Sequence, residues 1–421
     1  MRRLWASFLG AGVLLAACIT VGPDVTPEPT LAPTLGLTSG PTATPSASRM
    51  ATASPTPVPT ASPAPTTGPT RQPDASWVRV ADQVAFANAG MVSVVWGPDR
   101  YMAVGDAGAR TSTDGVSWRI GSAPFVGRGM VRGSIYDRIG YVAWGSSGMA
   151  AAVWVSPDGA AWSRAPDTPS FQGAEITGVA RLRDGLVAVG YADNDFRTWT
   201  SSDGLVWEPV SPATSTPWDG YVYGVTTADA GLVAWGNTRG DAPSAATLRS
   251  TDGRHWEVSV AGLEAEGDMV EGITEIIAVG GRLVAVGHGP LIGEAGAPPP
   301  PAAAWTSDDG LLWTPAVFEP EPPHGWFTNV VWNGEAFVAL GVEGPDSFDW
   351  RSTDGTTWTQ APSAPDTARD GEEEGCTGGR CPRSVVNYLA SGAAGLVAVG
   401  STRSGSEDER AVVSIAPAGG G

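Results

Sequence analysis

The side chains of this sequence that could do chemistry are carboxylates and aromatic rings. Asp193, Asp195, Glu264, Glu266, Asp268, Glu271 and the run Glu372 to Glu374 fall in the same regions as Trp218, Tyr221, Tyr223, His324 and Trp326. Two carboxylates converging on one point can share the acid and base roles of glycoside hydrolysis, but spacing along a chain does not set the distance between them. A run such as Glu372 to Glu374 also reads as an ordinary solvated loop. Lysine does not occur, and all 25 basic residues are Arg, so Schiff-base and P-loop chemistry are excluded. His255, His288 and His324 lie far apart without ligand spacing, so neither a metal nor a cofactor is expected. Cys376 and Cys381 flank four residues, two of them Gly. In an exported chain that spacing favours a local disulfide pinning a long loop.

What must position these groups is visible as a repeat. STDGVSW begins at Ser112 and returns as SPDGAAW from Ser156, SSDGLVW from Ser201, STDGRHW from Ser250, SDDGLLW from Ser307 and STDGTTW from Ser352. The Asp positions, 114, 158, 203, 252, 309 and 354, lie 44 to 57 residues apart, a period of the β-propeller kind. Asp-Gly between a β-rich run and a Trp predicts a tight turn, because Gly accepts a positive φ and Asp can bond its own backbone.

A second signal occurs seven times. It is a short apolar strand ending in Gly: YMAVG (101 to 105), YVAWG (141 to 145), LVAVG (186 to 190), LVAWG (232 to 236), LVAVG (283 to 287), FVALG (337 to 341) and LVAVG (396 to 400). Each repeat supplies four short antiparallel strands, the content of one blade. The seventh repeat ends at AVVSIAP without a turn-and-Trp phrase, whereas residues 74 to 80 (DASWVRV) carry such a phrase alone. The expected fold is therefore an all-β, seven-bladed propeller over 74 to 417, of four-stranded antiparallel blades, closed by that N-terminal strand. Residues 418 to 421 form a tail.

If the Asp-Gly turns mark one face, the b-to-c and d-to-a connections lie on the other. That face collects the insertions 191 to 197, 209 to 220, 237 to 246, 261 to 271, 288 to 303, 316 to 326 and 362 to 384, and loops on a rigid scaffold carry binding groups. Counting back eleven residues from the Ala of each Ala-x-Gly strand gives Val92, Arg132, Thr177, Tyr223, Thr274, Thr328 and Asn387. This mostly polar row reads either as a channel lining or as ordinary sheet alternation. Arg132, Tyr223, Trp218, Trp326 and Asn387 are the candidate ligand-binding residues.

The N-terminus sets an address. Arg2 and Arg3 precede an apolar stretch from Leu4 to Ala17 that is too short to span a bilayer comfortably but suits a signal peptide. Residues 19 to 73 are nearly all Pro, Thr, Ala, Ser and Gly, with too few large apolar side chains to offset ordering entropy, and so read as a disordered stalk. Net charge is −19 without a basic stripe, which argues against nucleic acid as a partner. A monomer is expected.

Two resemblances add to this. Leu15-Ala16-Ala17-Cys18 resembles the lipobox of bacterial lipoproteins. It implies cleavage after residue 17, a lipid on Cys18 at the start of the 18 to 73 stalk, and membrane attachment through that lipid alone, on the outer face of a bacterial cell membrane. The Ser-x-Asp-Gly-x-x-Trp phrase resembles the Asp box of BNR-repeat propellers, a group including sialidases and many non-enzymatic proteins, although it is one residue shorter than the usual form. That resemblance implies that the six Asp residues are structural and that Trp118, Trp162, Trp207, Trp256, Trp313 and Trp358 pack between blades. Sialidases also use an Arg cluster, a Tyr paired with a Glu, and an Arg-Ile-Pro signature near the first blade. That signature does not occur here, where the early arginines are Arg79, Arg100 and Arg110. Photosystem-assembly lipoproteins have related repeats, but no clear Arg patch marks this chain as one. The expectation is a surface-tethered, non-catalytic propeller binding a protein or glycan on its long-loop face, with an exported hydrolase of the sialidase-like class as the alternative.

Overall fold

The computed structural model describes residues 76 to 418 apart from 88–89, 106, 123–124, 126–128, 184, 240–242, 264–269, 292–298, 344–345, 363–364, 366–382 and 404–409. Cys18, the 18 to 73 segment, Glu264, Glu266, Asp268, Glu372 to Glu374, Cys376 and Cys381 lie outside the described residues, as do the side chains of Glu271 and Asn387.

Seven antiparallel sheets make seven blades. Blade 1 runs from its inner strand a to its outer strand d as Ser93–Trp96, Tyr101–Gly105, Gly108–Ser112 and Arg119–Ile120. The inner strands of blades 2 to 7 are Gly129–Asp137, Ala174–Leu182, Gly220–Ala228, Val270–Val279, Trp326–Trp332 and Arg383–Gly392. Blade 7 is completed from the other end of the described chain. Val78–Arg79 pairs antiparallel with Arg410–Pro417, Val78 opposite Ile415 and Arg79 opposite Ser414.

The six phrases are the c-to-d turns, and one hydrogen-bond knot recurs in each. Each Asp Oδ1 accepts two backbone N–H groups, those of Ala160 and Ala161 at Asp158 for example, at 2.9 and 2.8 Å. The Ser156 hydroxyl donates to the same oxygen and accepts the N–H of Gly159. All six turn glycines have positive φ, from 71° at Gly253 to 77° at Gly355, where a β-carbon would be strained. Partial burial opposes ionisation of Asp114, but the N–H groups of Ser117 and Val116 and the Ser112 hydroxyl outweigh it and hold the carboxyl down to about 2.

The turn delivers its Trp to the gap between blades. There are seven apolar cores, each shared by two adjacent blades, and Trp118, Trp207, Trp256, Trp313, Trp358 and Trp77 each sit in one. Trp162 packs, partly buried, against the seventh. Five of the phrase indoles donate to the carbonyl of their own turn Gly, as Trp207 does to Gly204 at 2.9 Å. Trp313 uses the Thr247 hydroxyl of blade 4. Trp77 has no turn of its own, since the chain enters blade 7 there as a separate strand. Its indole donates instead to buried Asp349, three residues before the phrase serine of blade 6, at 3.0 Å.

Three of the expected insertions are something else. The linkers after blades 3 and 5 lay Ala213–Thr214 and Val317–Glu319 parallel to the outer strands of blades 4 and 6, so those blades have five strands. Residues 191 to 197 are not an insertion but a two-residue hairpin, with Asp193 and Asn194 at φ of 54° and 65°. Asp and Asn are the non-glycine residues that best tolerate that region.

Closure through Trp77 sets a stability test. Removing a buried Trp side chain costs about 3 to 5 kcal/mol, and here it also strips buried Asp349 of a donor. Trp77→Ala is expected to lose at least that much in urea unfolding, and deletion of residues 74 to 80 to expose a strand edge and aggregate. A truncation melting like the intact chain would contradict closure.

Candidate functional site

The inner strands surround a channel of about 630 Å³ lined from all seven blades. Its geometry follows from one irregularity. In blades 2 to 7 strand a carries a bulge, and the bulged residues are Arg132, Thr177, Tyr223, Thr274, Thr328 and Asn387. The row counted from the sequence is thus a row of bulges. It also accounts for the invariant end of the Ala-x-Gly strands. A β-carbon on Gly145, Gly190, Gly236 or Gly287 would lie 1.7 to 1.9 Å from the carbonyl oxygen two residues before the bulge, so only Gly fits there.

The bulge spends some of the row on structure. The hydroxyls of Thr177, Thr274 and Thr328 donate back to the b-strand carbonyls of Val189, Val286 and Leu340, which leaves Arg132 and Tyr223 as the candidates able to reach a ligand. Asn387 occupies the blade 7 bulge.

Around the long-loop mouth these two join a larger patch. Arg132 Nη2 meets Glu175 of blade 3 at 3.0 Å, both side chains more than a third exposed. Tyr221 and Tyr223 of blade 4 are 44% and 49% exposed. Arg239 lies 4.1 Å over the Tyr221 ring and contacts Asp219. Tyr191 packs edge-on to Tyr221 and donates to the Val222 carbonyl. Its phenol is pushed far up, first by burial and then by Tyr223. Trp326 is 43% exposed two residues before the blade 6 bulge, as Met130, 53% exposed, is in blade 2. Trp218 is half-buried, with its indole over Gly220 and against the core between blades 3 and 4; it is a packing residue more than a contact residue. Asp195 pairs with Arg197, and His324 contacts the Pro299 carbonyl.

The sequence did not single out the residue next to each bulge. That position reads Gly133, Gly178, Gly224, Glu275, Asn329 and Tyr388 in blades 2 to 7. Glu275 Oε2 accepts from Asn329 Nδ2 at 2.7 Å, and Asn329 Oδ1 accepts the N–H of Leu389 at 3.2 Å. Burial pushes the Glu275 carboxyl up to about 7 against the favourable bond from Asn329. Burial, and then the Glu275 charge, raise the Tyr388 phenol. The signal was present in the bulge register, but the register is known only once strands a and b are paired. Tyr388 itself packs against the core between blades 7 and 1 and feels the Glu275 charge from two blades away, while the charged and phenolic groups acting on Tyr223 are Tyr221 and Arg239.

No family model matches this chain, and no curated protein matches it. Among solved structures, YCF48 bound to a peptide is similar at 12% identity over 83% of this chain and 97% of that one, with a TM-score of 0.46. The extracellular domain of a hybrid two-component system from B. thetaiotaomicron is similar at 7% identity over 80% of this chain and 39% of that one, with a TM-score of 0.49. Trypanosoma rangeli sialidase in complex with the inhibitor DANA is similar at 12% identity over 67% and 54%, with a TM-score of 0.41. The chain therefore spans well under two thirds of the length of the last two, and identities this low say nothing about a site.

Glu275 gives a pH test with a definite sign. A carboxyl raised in the folded state keeps its proton where the unfolded chain has lost it, so its contribution to stability falls as pH rises from about 4.5 to about 7. Glu275→Gln removes that cost and keeps an acceptor for Asn329. The variant should be about 1 to 3 kcal/mol more stable than the parent at pH 8 and nearly equal at pH 5, read by denaturant unfolding. Equal stability at both pH values would refute the raised carboxyl.

Proposed function

We propose that this chain is a non-catalytic binding module, held outside a bacterial cell by a lipid on Cys18 and a stalk over 18 to 73, that takes a protein or glycan on its long-loop face. The observation that carries the reading is the patch around the channel mouth. Tyr221, Trp326 and Met130 are exposed two residues before the bulges of blades 4, 6 and 2, with Tyr223 at the blade 4 bulge, the Arg132–Glu175 pair, and Arg239 over Tyr221. Exposed rings with few rotatable bonds lose little entropy when covered, and tyrosine, tryptophan and arginine dominate binding hot spots. The opposite face presents the repeated turns, whose carboxylates are consumed by their own backbone.

The sialidase-like alternative has one observation in its favour, a tyrosine and a carboxylate, Tyr388 and Glu275, lining the same channel. Against it, Arg132 is the one arginine among the described channel-lining residues, and its charge meets Glu175. A carboxylate substrate would need more.

Two experiments follow. The full chain is screened on a glycan array and against purified cell-surface proteins, with fluorogenic sialosides and other glycosides assayed in parallel. Saturable binding is expected, weakened at least about tenfold by Tyr221→Ala or Tyr223→Ala, with circular dichroism unchanged because both side chains are exposed. Glycoside turnover lost in Tyr388→Phe would replace the binding reading with the enzymatic one. For the address, Cys18→Ser is expected to abolish metabolic labelling with a fatty-acid analogue and to block cleavage before residue 18. Labelling that persists would show that no lipid is attached there.

A further inference from the structure

We propose that the central channel holds a small primary ammonium ion against Glu275, one position past the bulge row that carries Arg132 and Tyr223.

The channel is asymmetric at the level just after the bulges. Blades 2 and 4 carry Gly133 and Gly224, and the indoles of Trp144 and Trp235 lie where their β-carbons would stand, at 2.4 and 2.3 Å. Blades 5, 6 and 7 carry Glu275, Asn329 and Tyr388. At this level blades 5 to 7 therefore present a polar arc and blades 2 and 4 present indoles, with Ile135, Ile277 and Val331 in the level below. Glu275 is the one carboxylate among the described lining residues, and Arg132, the one basic residue, is held by Glu175. A carboxylate so placed is partly withdrawn from water and meets no counter-ion among the described lining residues.

The bonding pattern narrows the missing partner. Asn329 donates to Glu275 and accepts from the Leu389 backbone, so it orients the carboxylate and has its carbonyl occupied. Acceptors remain at the other Glu275 oxygen and at the Tyr388 phenol. A hard metal ion would need six or more oxygen ligands, whereas an ammonium group needs two or three acceptors and is attracted to indole faces such as those of Trp144 and Trp235. A volume of 630 Å³ suits a small organic molecule. The net charge of −19 favours entry of cations, since a low-dielectric cleft focuses the field of the whole molecule.

Binding should follow the ionisation of Glu275. The other titratable groups on strands packed against Val270–Val279 are Arg282 and His288 in blade 5, and Tyr221, Tyr223 and Arg249 in blade 4; Tyr388 comes from blade 7. Arg249 meets Glu257, and Arg282 donates to the Asp354 carbonyl. Burial lowers His288, and burial raises Tyr223 and Tyr388.

The test is calorimetric titration of the full chain with n-butylammonium chloride at pH 6 and pH 8, with 1-butanol as the neutral control. One site is expected, about tenfold tighter at pH 8 than at pH 6, because a carboxyl near pH 7 goes from about one tenth to about nine tenths ionised. Glu275→Gln should weaken binding at pH 8 at least about tenfold and flatten the pH dependence, which separates Glu275 from His288. Absence of saturable binding, equal binding of 1-butanol, or unchanged affinity in Glu275→Gln would each overturn the proposal. If the variant fails to fold, His288→Gln replaces it: a pH dependence that survives in His288→Gln keeps the assignment to Glu275, and one that is lost overturns it.

Discussion

Each blade of this propeller has two apolar faces and can cover neither by itself. A four-stranded sheet with both faces apolar must be covered on both, and a ring is the arrangement in which every blade covers its neighbours and no inner sheet is left open. The indole of each phrase is the piece that crosses that gap, and the turn before it determines where the indole lands. Asp, Ser and Gly make that turn rigid: the carboxylate gathers two backbone N–H groups, the hydroxyl bridges carboxylate and Gly, and Gly alone accepts the positive φ. Ring closure is the one place where the device has to be improvised. Trp77 arrives without a turn, and buried Asp349 supplies the acceptor that a glycine carbonyl supplies elsewhere.

Because stability is settled between blades, the inner strands are free to differ where they face the channel. The bulge sets their geometry, and the Ala-x-Gly glycine opposite it is demanded by the approach of a carbonyl in blades 2 to 5 and of the Phe348 ring in blade 6 rather than by any ligand. Past that shared bend the seven strands diverge. Three bulge threonines close hydrogen bonds within their own blade. Arg132 and Tyr223 turn outward to a rim with exposed aromatic rings, and Glu275, Asn329 and Tyr388 make a polar arc inside.

Carboxylates in this molecule meet opposite fates for reasons that are local. Asp114 and its equivalents are held ionised by donors that outweigh partial burial, and serve as structural pins. Glu275 has a single amide donor and is pushed toward the neutral form by burial. The first kind has its charge satisfied by the backbone, while the second is left next to a cavity with one donor and no counter-ion. That difference separates a structural acid from one available to a ligand.

Much of the fold was legible in the primary sequence because its determinants are local and repeated. An Asp-Gly turn, an apolar strand ending in Gly and a Trp at fixed spacing each have a short-range physical cause, and counting seven strands against six turns located the closing strand around Trp77. The linkers 209 to 220 and 316 to 326 were misread as face loops because pairing with a distant outer strand leaves no periodic mark in two or three residues. The site was legible only in part. Counting back from the Ala-x-Gly strands found Arg132 and Tyr223, but a bulge shifts the side-chain alternation by one residue, so the inner arc lies one position beyond the row that was counted. Glu275, Asn329 and Tyr388 are 54 and 59 residues apart in sequence. Only closure of the ring brings them onto one channel, and only burial in that ring gives the glutamate a chemistry that its residue type alone does not have.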